Sequence, residues 1–518
     1  MDFKLIPLLC LVFATLTLRS QPNIEWQVCF GGTNSDHAHK IRQTPDGGYI
    51  VAGSTVSNNG DVFGNNGGAD FWVLKTSHTG AVQWKKTYGG SNNEEAFSVD
   101  LTNDGGYIIV GHTLSNNLDV SGNHGYYDGW AVKIDGSGNI QWQRALGGSG
   151  WEEIWDVQQT EDGGYILAGW ATSNDGDLTI NQGSLDVWVV KLNSNGTLQW
   201  QKSFGGSSED RGYSIIQTTD GGYLVGGESS SADGDATNNL GNSDYWVLKL
   251  NFEGKIEWQK SLGGASIDRA NDVIEAADGG FVLFGQTYST NGDVSGNHGN
   301  NDQWLVKLNK SGDLEWQKAF GGSNEEYATS IHRTMDGGYV MTGQTQSNNG
   351  DVVGNDGGAD IWIVKTDALG VLQWQKTLGG TQAEWGNSVQ QTIDNGFILA
   401  GYSWSNNGDV SGNKGKTDYW IVKLSPESSP TSAPAPLPLE ISPNPAKNTI
   451  SLKVPSQDKD LNILVTDLLG RELQQWSIPN PQSGSVALDI AAFPNGLYWV
   501  RVTTNSGAVY LGKVLKQG

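Results

Sequence analysis

The sequence predicts an all-β fold made of repeated four-stranded units. Three observations predict it: a fixed period of 58 residues (the distance from Trp26 to Trp84), four strand-like segments in each period, and incomplete units at both ends of the repeated region. A fixed period of this length is typical of solenoids, propellers and other repeat arrays. Two tryptophans mark the period, one at Trp26, Trp84, Trp142, Trp200, Trp258, Trp316 and Trp374, and the other at Trp72, Trp130, Trp188, Trp246, Trp304, Trp362 and Trp420.

The unit between residues 92 and 148 illustrates the strand pattern. Its first segment ends at Asp104-Gly105-Gly106, a tight hairpin signal, and its second segment is rich in β-branched residues. Its third segment is apolar at neighbouring positions, as a strand buried on both faces should be. The predicted strands are Ala96–Thr102, Tyr107–Ser115, Gly129–Ile134 and Ile140–Leu146. Four antiparallel strands in each unit are typical of the blade of a β-propeller.

The two ends of the repeated region predict how it closes. The region begins with Ile24–Phe30, a fourth strand that no first three strands precede, and it ends with Tyr419–Leu424, a third strand that no fourth strand follows. An open solenoid would need capping units instead, and the sequence shows none. We therefore predict that residues 21–424 form a seven-bladed β-propeller in which the N-terminal strand completes the last blade.

Composition limits the partners and the location of the protein. The chain has 518 residues and a net charge of −24, and a protein that binds nucleic acid needs a basic surface, so we expect no nucleic acid. Residues 1–20 carry an early lysine and a short apolar run, the pattern of a cleaved signal peptide. We expect no transmembrane segment in the mature chain, and a monomer. Cys29 aligns with small residues in the other repeats, which favours a buried side chain over a reactive thiol.

The composition changes abruptly after the repeats. Residues 425–438 are rich in Pro, Ser and Ala and are predicted to be an extended linker. Residues 439–518 have no repeat period and alternate as short strands, which predicts a small Ig-like β-sandwich.

The C-terminal 80 residues also resemble a known family. The segments Ile441–Leu452 (ISPNPAKNTISL), Asp467–Leu473 (DLLGREL), Phe493–Val502 (FPNGLYWVRV) and Gly512–Gln517 (GKVLKQ) resemble the type A C-terminal sorting domain of the type IX secretion system of Bacteroidetes. The resemblance implies that the type IX machinery is a partner and that the cargo reaches the outer-membrane surface or the extracellular space. It also implies that the domain is usually removed. The alternative is an Ig-like adhesive module.

The repeats resemble a bacterial β-propeller repeat family. The sixth unit shows the pattern as WQKAFGGSNEEYATSIHRTMDGGYVMTGQTQS followed by ADIWIVK, and the resemblance spans residues 24–424. It implies the fold and assigns no reaction. A weaker likeness to quinoprotein and outer-membrane-assembly propellers rests on segments such as Asp135–Trp142 (DGSGNIQW), without a quinone-site pattern.

The antiparallel order of strands sorts the polar residues onto two ends of the ring. At one end, the Asp of each DGG turn is expected to pair with a lysine of the third strand, as in Asp104 and Lys133. At the other end, each long loop carries two Asp and one Asn. These residues predict either Asx-turn hydrogen bonds within the loop or Ca²⁺ sites made of carboxylate and amide oxygens. The candidate Ca²⁺ ligands are Asp61, Asn65, Asp70, Asp351, Asn355 and Asp360.

The long-loop end also gathers acidic and aromatic side chains. One acid follows each GGS motif, namely Asp36, Glu94, Glu152, Asp210, Asp268, Glu326 and Glu384. Aromatic residues that depart from the repeat are the candidate ligand-binding residues, because repeated residues build the scaffold. They are Trp151, Trp155, Trp170, Tyr213, Tyr288, Tyr327, Trp385, Tyr402 and Trp404. Aromatic rings beside carboxylates and amides suit a glycan or a protein ligand.

The sequence shows no catalytic constellation, because its histidines fall at unrelated repeat positions and no nucleophile–base pattern is present. We therefore predict a non-enzymatic binding or adhesion protein, exported to the cell surface or secreted. The alternative is a carbohydrate-active enzyme, a glycosidase or lyase, on the same scaffold.

Overall fold

A computed structural model describes residues 21–179, 181–427, 437–453, 460–466, 472–479, 485–504 and 509–517. Residues 21–427 form one compact unit, and the described residues from 437 onward belong to another. The predicted signal peptide (1–20), most of the predicted linker (428–436) and residues 467–471 lie outside the described residues. Within the described ranges, no helix is long and apolar enough to span a membrane.

The strands of residues 21–427, over the part that the structure describes, group into seven four-stranded antiparallel sheets, a propeller-like architecture. The first strands are Asp36–Gln43 (β2), Glu94–Leu101 (β6), Glu152–Gln159 (β10), Asp210–Gln217 (β14), Asp268–Glu275 (β18), Glu326–Arg333 (β22) and Glu384–Gln391 (β26). The second strands are Tyr49–Thr55 (β3), Tyr107–Thr113 (β7), Tyr165–Ala171 (β11), Tyr223–Ser229 (β15), Phe281–Thr287 (β19), Tyr339–Thr345 (β23) and Phe397–Ser403 (β27).

The third and fourth strands form the other half of each sheet. The third strands are Asp70–Thr76 (β4), Asp128–Ile134 (β8), Asp186–Leu192 (β12), Asp244–Leu250 (β16), Asp302–Leu308 (β20), Asp360–Thr366 (β24) and Asp418–Leu424 (β28). The fourth strands are Ile24–Phe30 (β1), Val82–Tyr88 (β5), Ile140–Leu146 (β9), Leu198–Phe204 (β13), Ile256–Leu262 (β17), Leu314–Phe320 (β21) and Leu372–Leu378 (β25). First and third strands begin earlier than predicted, each at a buried acid such as Glu94 or Asp128.

The sheets close on one another in a cycle. As predicted, β1 pairs antiparallel with β28, so that Cys29 lies opposite Trp420 and the indole Nε1 of Trp420 donates to Gln27 Oε1 at 2.9 Å. Each first strand packs against the first strands of the two neighbouring sheets, and β2 packs against β26. The Tyr419 hydroxyl of the last sheet donates to Trp72 O of the first sheet at 2.9 Å.

The repeated tryptophans hold each sheet and join it to the next. Those of the third strands are almost fully buried, and in six sheets the indole donates to a fourth-strand glutamine, as Trp130 does to Gln143 at 2.8 Å. Six of those in the fourth strands cover a turn of the following sheet, whereas Trp374 Nε1 donates to Glu427 Oε1 at 2.9 Å. Trp84 Nε1 donates to Gly136 O at 3.1 Å and its ring lies against Gly138, whose φ of 77° suits glycine.

The described residues of the C-terminal unit form two small sheets that share one apolar core. The core includes Ile450, Leu461, Val486, Val500 and Val514. Leu437–Pro438, predicted as linker, instead pairs with the last strand. The strands are Leu437–Pro438 (β29), Glu440–Ser442 (β30), Thr449–Lys453 (β31), Asp460–Thr466 (β32), Glu472–Pro479 (β33), Ser485–Asp489 (β34), Gly496–Thr504 (β35) and Val509–Lys516 (β36).

Candidate functional site

The seven first strands surround a cavity of about 410 Å³, called here the central cavity. All seven strands contribute lining residues, among them Lys40, Asp156, Arg269, Asp272 and Trp385. Because every sheet contributes lining residues to this one cavity, side chains from all seven sheets can contact a single ligand there.

A β-bulge in each first strand supplies the side chains that differ between sheets. Pairing with the second strand skips one residue, as between Ile154 and Asp156, where Trp155 has no opposite partner. Bulges re-aim a side chain and are frequent next to binding sites. The skipped residues are His39, Phe97, Trp155, Tyr213, Asn271, Thr329 and Asn387, all partly exposed and all in the cavity lining.

Aromatic rings form one side of the central cavity. Phe97 and Trp155 stack with ring centroids 4.2 Å apart and an interplanar angle of 5°. Tyr213 meets Trp155 edge to face at 5.5 Å, and His39 meets Phe97 in the same way at 5.6 Å. This side therefore presents a rigid row of rings from four consecutive sheets.

Polar groups form the other side. Asn271 Nδ2 donates to Ala328 O at 2.5 Å, Thr329 Oγ1 donates to Gly386 O at 2.6 Å, and Asn387 Nδ2 donates to Ala38 O at 2.8 Å. Each of these side chains reaches the backbone of the next sheet, which fixes its orientation. The bulge residues are thus aromatic in four consecutive sheets and carry an amide or a hydroxyl in the other three.

The carboxylates near the cavity each have fixed partners. Glu153 accepts from the indoles of Trp151 (3.0 Å) and Trp155 (2.9 Å). Glu228 accepts from the Tyr213 hydroxyl at 2.7 Å and pairs with Arg269 at 3.1 Å. These bonds hold the aromatic side chains in place.

Glu228 and Glu95, whose Oε1 lies 3.2 Å from His39 Nε2, are held in the ionised form. Burial alone would raise the pKa of Glu95, but the hydrogen bond from His39 and the nearby histidines lower it to about 2. The pKa of Glu228 is also lowered, because Arg269 and Tyr213 outweigh the effect of burial.

The structure separates the nine predicted aromatic residues. Trp155, Tyr213, Tyr327, Trp385 and Tyr402 line the central cavity. The others lie around it: Trp151 lines a second cavity of about 450 Å³, Trp170 is buried against Trp151, Trp404 packs on Tyr402, and Tyr288 lies near Tyr327.

Sequence reasoning missed Phe97, His39, Arg269 and the polar bulge residues. The available signal was the repeat position 39, 97, 155 and onward, where the residue type changes in nearly every unit.

The predicted Asp–Lys pairs are present in all seven sheets, at six DGG turns and at Asp394-Asn395-Gly396 in the seventh, with nitrogen–oxygen distances of 2.9 to 3.1 Å. Cys29 is buried, as predicted, and burial raises the pKa of its thiol to about 12.

The residues proposed as loop calcium ligands hydrogen-bond to backbone groups. Asn65 Nδ2 donates to Thr55 O at 3.1 Å, and its Oδ1 accepts from Gly67 N at 2.9 Å; Asn355 makes the matching bonds. Asp61 and Asp351 accept from Gly31 N and Gly321 N, each at 3.3 Å. Asp70 and Asp360 instead lie against Gly89 and Gly379, in the connection to the following sheet. The two aspartates of one loop therefore serve two different connections.

The acids that follow the GGS motifs are fully buried rather than exposed beside the aromatic rings. Glu94 accepts from Gly90 N at 2.7 Å, Thr113 Oγ1 at 2.7 Å and Ser115 N at 3.1 Å. Each of these acids faces the buried aspartate that begins the preceding third strand. Burial and the neighbouring carboxylates raise the pKa of these aspartates, that of Asp244 to about 7. In the ranges that the structure describes, no three His, Cys, Asp or Glu side chains form a group that could hold a metal ion.

Comparisons with known proteins bear mainly on the C-terminal unit. Residues 440–517 match the model of the secretion system C-terminal sorting domain, which confirms the type IX sorting domain and indicates export to the cell surface or extracellular space. No curated protein matches the chain.

Among solved structures, the chain is similar to Sqt1 from Chaetomium thermophilum (TM-score 0.41, 10% identity, 77% of this chain and 100% of that one). It is also similar to puromycin hydrolase (0.43, 12%, 86% and 60%) and luciferin-regenerating enzyme (0.36, 9%, 78% and 96%). These identities are too low to indicate a shared function.

Proposed function

We propose that this protein is an exported, non-enzymatic binding protein whose central cavity recognises a glycan or a protein. Its scaffold is a monomeric seven-bladed β-propeller closed by the N-terminal strand. A cleaved signal peptide (1–20) and the type IX sorting domain, an Ig-like sandwich, direct a Bacteroidetes-type export route.

The bulge positions support a binding role most directly. Seven equivalent first strands place seven mostly different side chains at one cavity, while the buried acid that begins each strand and the Ile or Val at its sixth position repeat. Residues that vary at a shared cavity are available for recognition, whereas repeated residues are needed for folding. The row of Phe97, Trp155 and Tyr213 offers stacking surface, and the amide side offers hydrogen bonds, a combination that suits a sugar ring or a peptide.

The acid chemistry of the cavity favours binding over glycoside hydrolysis. A glycosidase needs one carboxyl group that stays protonated near neutral pH to act as general acid. The pKa values of Glu95 and Glu228, which lie beside the central cavity without lining it, are lowered instead. Asp156 is held by Ser98 Oγ at 2.8 Å and by Ile215 N at 3.1 Å.

The test is a glycan array followed by calorimetric titration of the best ligand, on residues 21–518. Trp155→Ala should weaken binding at least tenfold, about 1.4 kcal/mol. Phe252→Ala is the matched control, because Phe252 is an exposed ring in a turn between a third and a fourth strand, and it should leave binding unchanged.

Three outcomes separate the alternatives. Equal loss in both variants would contradict a role of the central cavity. Release of product from the bound glycan would favour the carbohydrate-active enzyme. Binding to no glycan, with capture of a defined protein lost in Trp155→Ala, would identify the ligand as protein.

A further inference from the structure

The second cavity, of about 450 Å³, lies where the first three sheets meet, and it shares no lining residue with the central cavity. The first sheet contributes only uncharged residues to it, such as Ala69. The second and third sheets and their connection contribute the side chains that could hold a ligand, namely Glu95, His112, Tyr127, Trp151 and Glu153. The volume lies within the range of small-molecule sites, about 300 to 1,000 Å³.

The second cavity carries negative charge. Glu95 and Glu153 both line it, and among the described residues that line it none is a lysine or an arginine. Glu95 Oε1 lies 3.2 Å from His39 Nε2, whereas Glu95 Oε2 has no hydrogen-bond partner in the described ranges. Because the side chain of Glu95 is 34% exposed, this second oxygen can accept a hydrogen bond from a ligand.

A nearby carboxylate at the same end of the ring is neutralised within the protein. Glu228 lies 3.1 Å from Arg269 and 3.4 Å from Arg211. Over the part of the chain that the structure describes, Glu95 and Glu153 form ion pairs only with histidines. Their charge is therefore available to a ligand.

The sequence shows that this charge is specific to two sheets. One repeat position supplies both acids, and it holds a different kind of side chain in the other sheets. The residues at this position are His37, Glu95, Glu153, Arg211, Arg269, Tyr327 and Trp385. The scaffold therefore does not require an acid here, and the two consecutive glutamates are free to serve recognition.

Aromatic rings accompany the two carboxylates. The ring centroids of Tyr127 and Trp151 are 5.5 Å apart, and both residues line the second cavity. Tyr126 meets both rings edge to face, and Trp151 Nε1 donates to Glu153 Oε1 at 3.0 Å, so the rings are held in place. Trp151 is 42% exposed, which leaves part of its ring accessible. The face of an aromatic ring attracts a cation that lies within about 6 Å of its centroid.

We propose that the second cavity binds a primary ammonium group, carried either by a lysine side chain of a polypeptide or by a small amine. Glu95 Oε2 accepts a hydrogen bond from the ammonium, Glu153 adds negative charge, and Tyr127 and Trp151 attract the cation through their rings. An anionic ligand would be repelled by the two carboxylates. Because its lining is separate, this site does not depend on what the central cavity binds.

Calorimetric titration of residues 21–518 at pH 8 tests the proposal with two matched pairs of probes. A capped glycine–lysine–glycine tripeptide is compared with the same tripeptide acetylated on the lysine side chain, which removes the charge. Pentylamine is compared with pentanol. Each ammonium probe should bind at least about tenfold more tightly than its neutral counterpart. Tighter binding of the lysine tripeptide than of pentylamine would support a polypeptide as the source, and equal binding would support a small amine.

Variants locate the binding. Glu95→Gln removes the free carboxylate oxygen and should weaken binding of the lysine tripeptide at least about fivefold. Trp151→Ala should also weaken it, and Trp151→Phe should recover most of the affinity, because it keeps an aromatic ring. Glu161→Gln is the matched control and should leave binding unchanged, since it removes the same charge from an exposed side chain in the turn between β10 and β11.

Two results would overturn the proposal. One is equal binding of the charged and neutral probes. The other is an equal loss in Glu95→Gln and Glu161→Gln, because the acidic surface as a whole would then attract the probes. Melting temperatures identify a variant that folds poorly, and Glu95→Gln and Trp151→Ala change different contacts, so one of them remains informative. The glycan titration of the central cavity is a separate measurement, so the two proposals can fail independently.

Discussion

The ammonium group of Lys133 is buried, whereas its partner Asp104 is about half exposed. Lys133 Nζ donates to both oxygens of Asp104, to Ile134 O at 3.0 Å and to Gln141 Oε1 at 2.8 Å. The same Asp–Lys pair ties the turn between the first and second strands to the third strand in every sheet. Because burial is unequal, the two partners contribute differently: a buried cation needs its counter-ion, while an exposed carboxylate can return to water.

This asymmetry predicts that substitutions of the two partners destabilise the fold to different extents. Asp104→Asn should lower the free energy of unfolding by about 2 kcal/mol or more, because it leaves a buried ammonium without a counter-charge. Lys133→Met should cost less than about 1 kcal/mol, because Asp104 stays hydrated. Urea unfolding at pH 7 measures both values, and a greater loss in Lys133→Met would contradict the argument.

The pH dependence of stability provides a second test of the same pair. Although burial would raise it, hydrogen bonds from Thr102 and Lys133 lower the pKa of Asp104 to about 2. A lowered carboxyl pKa stabilises the fold above the unfolded pKa of about 4 and loses this effect as the pH falls toward 2. The deficit of Asp104→Asn should therefore shrink between pH 4 and pH 2.

At the scale of strands and connections, the first glycine of each GG motif has a steric role. A Cβ atom on Gly147 would lie 2.7 Å from Glu152 Oε2 and 2.8 Å from Asp128 Oδ1. Glu152 cannot easily move, because it accepts from Gly148 N at 2.8 Å and Ser173 N at 3.1 Å. The connection between sheets therefore tolerates only glycine at this position.

Two glycine substitutions separate steric from conformational effects. Gly147→Ala should cost about 1 to 3 kcal/mol through overpacking against the two carboxylates. At Gly163 the space around a Cβ is open, but φ is 78°. Gly163→Ala should therefore lower the free energy of unfolding by only about 1 kcal/mol, the cost of holding alanine in the left-handed conformation. Thermal melting of both variants checks the difference, and a larger loss in Gly163→Ala would refute the steric role of Gly147 in the connection between sheets.

Sequence periodicity predicted the strands because their burial repeats with the same period. The tryptophan at the repeat position of Trp130, for example, is buried in every sheet. The bulges could not be predicted in this way, since Trp155 occupies a variable position whose direction is set by the packing of neighbouring strands. The contacts at the connections between sheets were missed for a related reason: Asp61 and Asp70 lie in one loop, but they contact different connections.

At the scale of the whole molecule, closure depends on one strand from the beginning of the chain. β1 covers the outer edge of β28, and Phe30 joins the apolar cluster of Tyr49, Trp72 and Tyr419 between the first and last sheets. Without β1, the edge of β28 would have unpaired backbone groups, which invite association with other chains.

A deletion tests this closure. A chain that lacks residues 21–31 should lose the acceptor of the Trp420 indole and expose the β28 edge. We expect a lower melting temperature and oligomers in size-exclusion chromatography. A monomeric deletion mutant with unchanged stability would show that the last sheet is complete without β1.

A circular permutant separates the effect of the strand from that of its covalent position. Residues 24–30 are moved to follow Leu424 through a five-residue turn copied from Asn251–Lys255, which joins the third and fourth strands of another sheet. The register of β1 against β28 can then form within a continuous chain, as it does in the other six sheets. The permutant should be monomeric and at least as stable as the wild type, because closing a short turn costs less entropy than joining distant chain ends. An unstable permutant would indicate that the covalent link from β1 to β2 is itself required for closure.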